Sequence, residues 1–570
     1  MTQKLIKLSS GIGGLDAALR GGYPSGRTTL IHGETGTGKT IIGMHFLIEG
    51  AQNSEAGILI SFEERADALR RNALTLGWDL AKLEKEGRLA VLDPRLDPRA
   101  VVTGEFSFAG LFALLEGLIR KLNVKRIVID AVDVLLQLLE NPARERNEIF
   151  MLHDWLLDHK LTALITMKLA GEQSYYPFVE FLTDCVVRLR AETTEHQRLL
   201  QIVKCRGSGF SSGANPYAIS ERGLVFHPLV DLEMSYPPIT GHISTGFEEL
   251  DHMMGGGYTK GGCTAIVGAT GTGKTTISNT FARNACENGE RVLYVNYEES
   301  AGHMVGMMKS SGIDLEPVIQ KGSLKILSQM PEAVVPEIHL DNLMNAIEDH
   351  NPGYVIVDAV SSFDRMGSEA TAFYFMLRLV THCRRKGITV LLTNQITGKE
   401  NIGEIFGIGY SSIIDTIVYL NYSSIGGEMN RTILIMKSRG SQHTNQFREF
   451  MITSDGIRFA DIYSGKGGML TGVARQEQEI REQQEERQRQ YEVEAKKKEI
   501  ERMKASSKAE RLALQARIDK AIVELENLKS EDVIFDKARE QREIMRKSKD
   551  SEEKVLQKNR SSRRTRKGGQ

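Results

Sequence analysis

The chain of 570 residues is long enough for several domains, and its 41% hydrophobic and 26% charged content with a formal net charge of −1 is an ordinary globular balance. That charge argues against a generally basic nucleic-acid binder, no apolar run approaches the ~18 residues of a membrane span, and the opening MTQKLIKLSSGIGG lacks the apolar core of a secretory leader. Five cysteines (Cys185, Cys205, Cys263, Cys286 and Cys383) stand scattered without Cys-x-x-Cys spacing, which predicts neither a disulfide framework nor a zinc site and suits a reducing cytoplasm.

In chain order, SSGIGGLDAALRGGYPSG at 9–26 leads into RTTLIHG, an apolar run predicted to be a strand, and then into GETGTGKT. These eight residues, Gly33, Glu34, Thr35, Gly36, Thr37, Gly38, Lys39 and Thr40, match G-x-x-x-x-G-K-[ST]. Such a loop wraps backbone N–H groups around a phosphate chain, with the lysine on the β/γ-phosphates and the threonine hydroxyl on Mg²⁺. Gly36 and Gly38 leave room for close backbone approach and unusual dihedrals. TIIGMHFLIEGA follows with helical periodicity. ILISFEER then predicts a strand closed by Glu63 and Glu64, and RIVIDAVDV a strand ending in Asp130, where a carboxylate would hold Mg²⁺ beside the loop hydroxyl. QIVKCRGSG places Lys204 and Arg206 just after a late strand.

The same series then returns. STGFEELDHMMGGGYTKG at 244–261 matches 9–26, and GATGTGKT supplies Gly268, Ala269, Thr270, Gly271, Thr272, Gly273, Lys274 and Thr275. The separation from Lys39 to Lys274 equals that from Glu63 to Glu298, and Glu299 completes the second acidic doublet. YVIVDAVSS repeats the strand ending in aspartate at Asp358, and LIMKSRGSQ repeats the basic pair as Lys437 and Arg439. Two copies of one domain, 1–232 and 233–462, account for this, joined by the proline-containing HPLVDLEMSYPPITGHIS. Within each copy, short β-branched runs alternate with longer helical stretches. That pattern predicts two tandem α/β P-loop domains, each a mostly parallel sheet with helices on both faces.

From about Gly468 the composition turns to Glu, Lys, Arg and Gln, and 463–570 reads as linker, helix and basic tail. Leu514, Ile518, Ala521, Leu525, Leu528 and Phe535 follow a coiled-coil seam interrupted by Asp532. Before residue 510 the seam is weak (Ile480, Tyr491, Ile500 and Met503), with a solvated single helix held by charge pairs as the alternative. The final KNRSSRRTRKGGQ carries six basic residues and no acid.

Read chemically, Glu63, Glu64, Glu298 and Glu299 are candidate bases that take a proton from the group attacking the γ-phosphate. Thr40, Asp130, Thr275 and Asp358 are the candidate Mg²⁺ set, and both eight-residue loops the ATP sites. Lys204, Arg206, Lys437 and Arg439 are candidate fingers that reach a neighbouring subunit's nucleotide. Surface solvation is the alternative for the acidic doublets, and an exposed basic turn for the fingers.

Over about 9–462 these residues resemble the KaiC family of RecA-like ATPases: the doubled loop, the EER and EES strand ends, the K-x-R-G-S motifs and REFMITSDGI at 448–457 all agree. The resemblance implies hexameric double rings, a slow ATPase in the N-terminal domain, and a C-terminal autokinase acting on adjacent hydroxyl residues before an I-x-D-T-I strand. Here that stretch is GYSSIIDTIVYL, giving Ser411 and Ser412 as phosphorylation sites where the family usually has Ser then Thr. Aligning Asp184 with Asp415 sets Glu180 and Phe181 opposite the two serines, so the first copy lacks the hydroxyls. The implied function is an ATPase and serine autokinase, with autodephosphorylation, acting as a timer or signalling switch. A KaiB-like regulator is an implied partner. The long helix replaces the short peptide that binds a KaiA-like activator, which argues against that partner, and the seam predicts pairing of two rings into a dodecamer. Two other readings stay open: a RecA/DnaB-like motor on nucleic acid, disfavoured by the few basic or aromatic residues in TGKENIGEIFGIGYSS, and a scaffold whose ATP sites serve assembly alone.

Overall fold

A computed structural model describes residues 5–94, 108–137, 139, 141–168, 177–192, 197–229, 241–365, 367–396, 410–425, 428–460, 463–465, 468–470, 472–515 and 532–544. The chain divides into two units, Met1–Gly472 and Val473–Gln570.

The first unit holds two nine-stranded sheets. In copy one the main strands are β1 (Thr28–Gly33), β2 (Gly57–Ser61), β3 (Leu89–Leu92), β4 (Arg126–Asp130), β5 (Thr162–Lys168), β6 (Cys185–Glu192), β7 (Gln197–Cys205), β8 (Asn215–Ser220) and β9 (Gly223–Phe226). Their spatial order is β9-β8-β7-β6-β1-β5-β4-β2-β3. The stretch from β3 to β6 is parallel, while β7, β8 and β9 add antiparallel at the other edge. In copy two the strands are β10 (Cys263–Gly268), β11 (Val292–Asn296), β12 (Leu324–Ser328), β13 (Tyr354–Asp358), β14 (Thr389–Gln395), β15 (Thr416–Ile425), β16 (Glu428–Ser438), β17 (Arg448–Thr453) and β18 (Gly456–Ala460). Their order, β18-β17-β16-β15-β10-β14-β13-β11-β12, repeats that of copy one strand for strand.

The parallel strands are buried on both faces because helices cover both, which explains their continuous apolar runs. One face of copy one packs Leu15, Phe46, Leu59, Val128 and Leu164; the other packs Ile58, Ile127, Ile129, Leu152 and Ile165. Copy two has the same two layers, around Phe281, Tyr294 and Ile356 on one side and Leu293, Val357, Leu379 and Leu392 on the other. Each central strand, β1 and β10, runs straight into a helix, α1 (Lys39–Gln52) and α2 (Lys274–Glu287). Each lies where neighbouring connections leave in opposite directions, so its C-terminal end opens on the crevice that open α/β sheets use for ligands.

The second unit contains α3 (Gly472–Gln515) and a further helical stretch at 532–544. Ile480, Tyr491, Ile500 and Met503 are all exposed along α3. Of the predicted seam, Ile518, Ala521, Leu525 and Leu528 lie outside the described residues, as does the side chain of Leu514; Phe535 is exposed. The basic end and most of TGKENIGEIFGIGYSS also lie outside them.

Candidate functional site

Both phosphate loops are built alike. Gly36, Gly38, Gly271 and Gly273 have φ values of 79°, 85°, 77° and 102°, a left-handed backbone that favours glycine. Gly38 and Gly273 are the residues on which α1 and α2 begin. Helix N-termini with free N–H groups bind anions, so each loop is a cradle for phosphate. The lysines turn back onto the loop. Lys39 Nζ donates to the carbonyls of Gly33 and Glu34 at 3.0 and 2.9 Å, and Lys274 Nζ to those of Gly268 and Ala269, both at 2.9 Å. Burial holds both lysines below their ordinary value, opposed chiefly by Asp130 for Lys39 and by Asp358 for Lys274. Thr37 and Thr272 close each loop by donating to the carbonyls of Glu34 and Ala269, both at 2.7 Å.

The aspartates stand at the strand ends beside the cradles, and both are buried. Asp130 accepts from the Thr40 hydroxyl at 2.7 Å through Oδ2 and from Thr166 through Oδ1. Two hard oxygen donors, one hydroxyl and one carboxylate, suit Mg²⁺ with its remaining positions on water and phosphate. In copy two, Asp358 accepts from Thr393 through Oδ1, while Oδ2 accepts from the buried hydroxyl of Tyr294 at 2.7 Å. Asn279 donates in turn to the Tyr294 oxygen at 3.1 Å. Thr275 occupies the second position of α2, as Thr40 does in α1.

The acidic doublets lie in tight turns just beyond β2 and β11, not on the strands themselves. In copy two, Asn296 Oδ1 accepts from the backbone N–H of Glu298 and Glu299 at 2.9 and 3.0 Å; in copy one, Ser61 Oγ accepts from Glu64 N–H at 3.0 Å. Partial desolvation, then the neighbouring Asp358, pushes Glu298 above its ordinary value, and Ser362 donates to it at 3.4 Å. In copy one it is Glu64 that is raised, by desolvation and then by Asp130 and Glu63. Glu63 is exposed and Glu299 half-buried, with Glu299 Oε2 3.3 Å from His303 Nδ1.

The basic residues correct one expectation. Lys204 and Lys437 lie within β7 and β16 rather than after them, and only Arg206 and Arg439 follow the strand ends. All four turn toward the short helix that precedes β6 or β15, α4 (Pro177–Leu182) in copy one and α5 (Tyr410–Ile413) in copy two. Lys204 donates to the carbonyls of Glu180 and Phe181, and Arg206 to that of Phe181 at 2.6 Å. Lys437 donates to the Ile414 carbonyl at 2.7 Å, and Arg439 to that of Ser412 at 3.0 Å. The end of α5, with exposed Ser412, is therefore held by the same basic pair that the sequence singled out. Ser411 lies in this helix, and its side chain is outside the described residues.

Several participants escaped the sequence reading. Tyr294 and Asn279 are two, and Asp133 is another: buried in copy one, it accepts from Lys168 N–H at 3.2 Å and is raised by that burial. Its counterpart in copy two is Ser361, so only the alignment of the two copies flags it. Tyr217 likewise pins the first cradle through a 2.6 Å bond to the Thr37 carbonyl, where copy two has Phe450.

Comparison with known proteins agrees with this architecture. The family model "ATPase: KaiC" matches twice, at residues 8–231 and 243–464. The chain is 36% identical over 540 residues to the circadian clock protein KaiC2 of Synechocystis, covering 93% of this chain and 95% of that protein, so this match extends past Gly472 into the tail. It is 33% identical over 479 residues to the circadian clock protein KaiC3 of the same organism, covering 83% and 95%. It is 34% identical over 480 residues to the circadian clock oscillator protein KaiC of Synechococcus elongatus, covering 82% and 92%. Among the described residues no helix is long and apolar enough to cross a membrane. The chain belongs to the KaiC family of ATPases, enzymes that bind and hydrolyse ATP and phosphorylate their own chain.

Proposed function

We propose that the two cradles serve different acceptors: copy one passes the γ-phosphoryl group to water, and copy two passes it to Ser411 and Ser412. The observation that carries this reading is the contrast between α5, which bears two adjacent serines, and α4, which bears Glu180 and Phe181 at the matching positions. Phosphoryl transfer needs little covalent help from protein, so positioning and charge do most of the work. Lys39 and Lys274 leave the loop carbonyls for the β/γ-phosphates. Thr40 with Asp130, and Thr275 with Asp358, would hold Mg²⁺, which would supply neutralisation of phosphate charge when bound. Glu298, assisted by Glu299, takes the serine proton; Glu64, with Glu63, orients water in copy one. A raised carboxyl suits this role, because a base works best when its proton affinity approaches the working pH.

The chain self-associates into hexamers in which Lys204, Arg206, Lys437 and Arg439 act at the subunit boundary, and the tail seams pair two rings into a dodecamer. The relatives named for the circadian clock support a role as a phosphorylation-state timer or switch, and a KaiB-like regulator is the partner that such a role implies. No observation among the described residues favours a nucleic-acid motor. Mass-spectrometric phosphosite mapping after incubation with Mg-ATP tests the central claim. Phosphate on Ser411 or Ser412 is expected in the wild-type protein, and its loss in Ser411→Ala/Ser412→Ala. Phosphate mapping elsewhere, with these two serines unmodified, would remove the assignment.

A further inference from the structure

The sequence scatters its cysteines, but folding sets two of them side by side. Cys185 begins β6, Cys205 ends β7, and the two are directly opposite in the antiparallel register. The neighbouring pair is bridged by Arg206 N–H donating to the Asp184 carbonyl at 2.8 Å, which makes the cysteine pair a non-hydrogen-bonded one. In such pairs the Cα atoms approach to ~4.5 Å and the two side chains project close together from the same face of the sheet. That spacing falls within the ~4.4–6.8 Å range of natural disulfides. Each thiol is the largest influence on the proton affinity of the other.

We propose that Cys185 and Cys205 are an oxidant-reactive dithiol that closes to a disulfide when it meets a hydroperoxide. The two thiols are not equivalent. The adjacent Cys185 thiol pushes Cys205 below the ordinary thiol value against the opposing effect of burial, with Lys7 and Arg27 adding to the lowering, whereas the adjacent Cys205 and burial push Cys185 up. Cys205 also keeps 5% of its surface exposed at the strand end, while Cys185 has none. Cys205 is therefore the attacking sulfur and Cys185 the resolving one. The Cys205 thiolate breaks the O–O bond of the hydroperoxide, giving a sulfenic acid on Cys205 and the corresponding alcohol. The Cys185 sulfur then displaces water from the Cys205 sulfur as the S–S bond forms. Two thiols are oxidised, one hydroperoxide is reduced, and both thiol hydrogens leave in the alcohol and water.

Copy two provides an internal control. Its residues at the same register, Thr416 and Ser438, are also directly opposite, so the strand geometry does not require sulfur. The other three cysteines, Cys263, Cys286 and Cys383, are buried apart from this pair, and burial raises all three. The new bond would sit one residue from Arg206 and would tie the end of β7, which bears Lys204, to the start of β6, the strand that follows α4.

The test treats the full chain with a modest excess of hydrogen peroxide, blocks remaining thiols under denaturing conditions, and maps peptides without reduction. The expected result is a cross-linked peptide joining Cys185 to Cys205, a mass loss of two hydrogens per chain, and full reversal by dithiothreitol. Cys205→Ser should abolish both the cross-link and peroxide consumption. Cys185→Ser should abolish the cross-link but leave a sulfenic acid on Cys205 that dimedone traps. Recovery of both thiols unmodified, or oxidation spread evenly over all five cysteines, would overturn the proposal.

Discussion

The two copies share one topology and one strand register, yet they bury different chemistry at matched positions. Copy one buries Arg126, paired with Glu55 at 2.7 Å, bonded to the carbonyls of Ser9 and Phe46, and lying 4.6 Å over the Phe46 ring. Gly50 leaves the space, since a Cβ there would meet the arginine side chain at 2.4 Å. Copy two fills the same place with Tyr354 edge-on to Phe281 at 5.4 Å. Conversely, copy two buries the Asn279–Tyr294–Asp358 chain, where copy one has Met44 and Leu59. A fully satisfied buried ion pair and a well-packed aromatic pair are near-equivalent for stability. The fold therefore does not dictate these choices, and the proposal of different acceptors rests on such matched differences: Glu180 and Phe181 against Ser411 and Ser412, Asp133 against Ser361, Leu59 against Tyr294.

The strongest way to break this comparison is to disable one cradle at a time. Lys274→Ala is expected to abolish self-phosphorylation while leaving much of the ATP hydrolysis, and Lys39→Ala to do the reverse. Radiolabel transfer and phosphate release, measured on the same preparations, separate the two. Loss of all hydrolysis in Lys274→Ala with phosphorylation intact would contradict the assignment of acceptors.

The next effect concerns the base. Glu298→Gln keeps the shape and removes the basicity, and loss of a general base costs ~10²–10⁴-fold. The sign of the pH dependence follows from the raised carboxyl: the working form is deprotonated, so phosphorylation should fall on acidification, beginning above the ordinary value of 4.5. This acid limb should vanish in Glu298→Gln, whereas Glu64→Gln should change hydrolysis and leave the limb in place. An unchanged phosphorylation rate in Glu298→Gln would exclude Glu298 from the role.

Much of this could be read from the chain because the repeat amplified it. The cradles, the strand-end aspartates and the basic pairs each occur twice at nearly constant spacing, and local backbone chemistry specifies them: glycines for positive φ, an apolar strand before, a helix after. The groups that were missed act over long sequence separations. Tyr294 reaches Asp358, Tyr217 reaches the Thr37 carbonyl, and Cys185 meets Cys205 only when β6 and β7 pair. No short-range pattern encodes such contacts. The bonds from Lys204, Arg206, Lys437 and Arg439 to helix-end carbonyls were hidden for the same reason, because the motif gives the residue types but not the direction in which they turn.

A smaller change should sharpen the contrast behind the aspartates. Tyr294→Phe removes the hydroxyl on Asp358 and leaves the Asn279 amide with its 2.9 Å bond to the Thr275 carbonyl. A hydrogen bond to a charged group contributes ~1.5–3 kcal/mol, part of which water recovers. Phosphorylation should drop by about tenfold, or ~1.4 kcal/mol, with a higher Mg²⁺ requirement. Hydrolysis in copy one, which has leucine there, should not respond. An unaltered Mg²⁺ titration of phosphorylation would show that the hydroxyl only fills space.

The smallest expected effect separates the stability of the copies. Copy one buries His32 and His45, both lowered to about 4, chiefly by desolvation and, for His32, also by Arg188 and Arg190. Both rings work as neutral acceptors: His45 Nε2 takes a 2.9 Å bond from Leu224 N–H, and His32 Nε2 a 3.3 Å bond from Arg188. Copy two has Val267 and Thr280 at these places. Its own lowered histidines, His339, His350 and His382, are shifted less far. In the unfolded chain a histidine binds its proton near 6.5, so between 6.5 and about 4 the unfolded state carries more protons than the folded one. Stability from these groups is complete above that window and is lost as pH falls through it. Hydrogen exchange on the full chain, corrected for the intrinsic rate, should therefore show β1 and α1 losing protection before β10 and α2 as the solution is acidified. His32→Val with His45→Thr, which copies the second domain's residues into the first, should bring the two responses together. If both copies lose protection in step in the wild-type protein, the buried histidines do not set the acid limit of copy one.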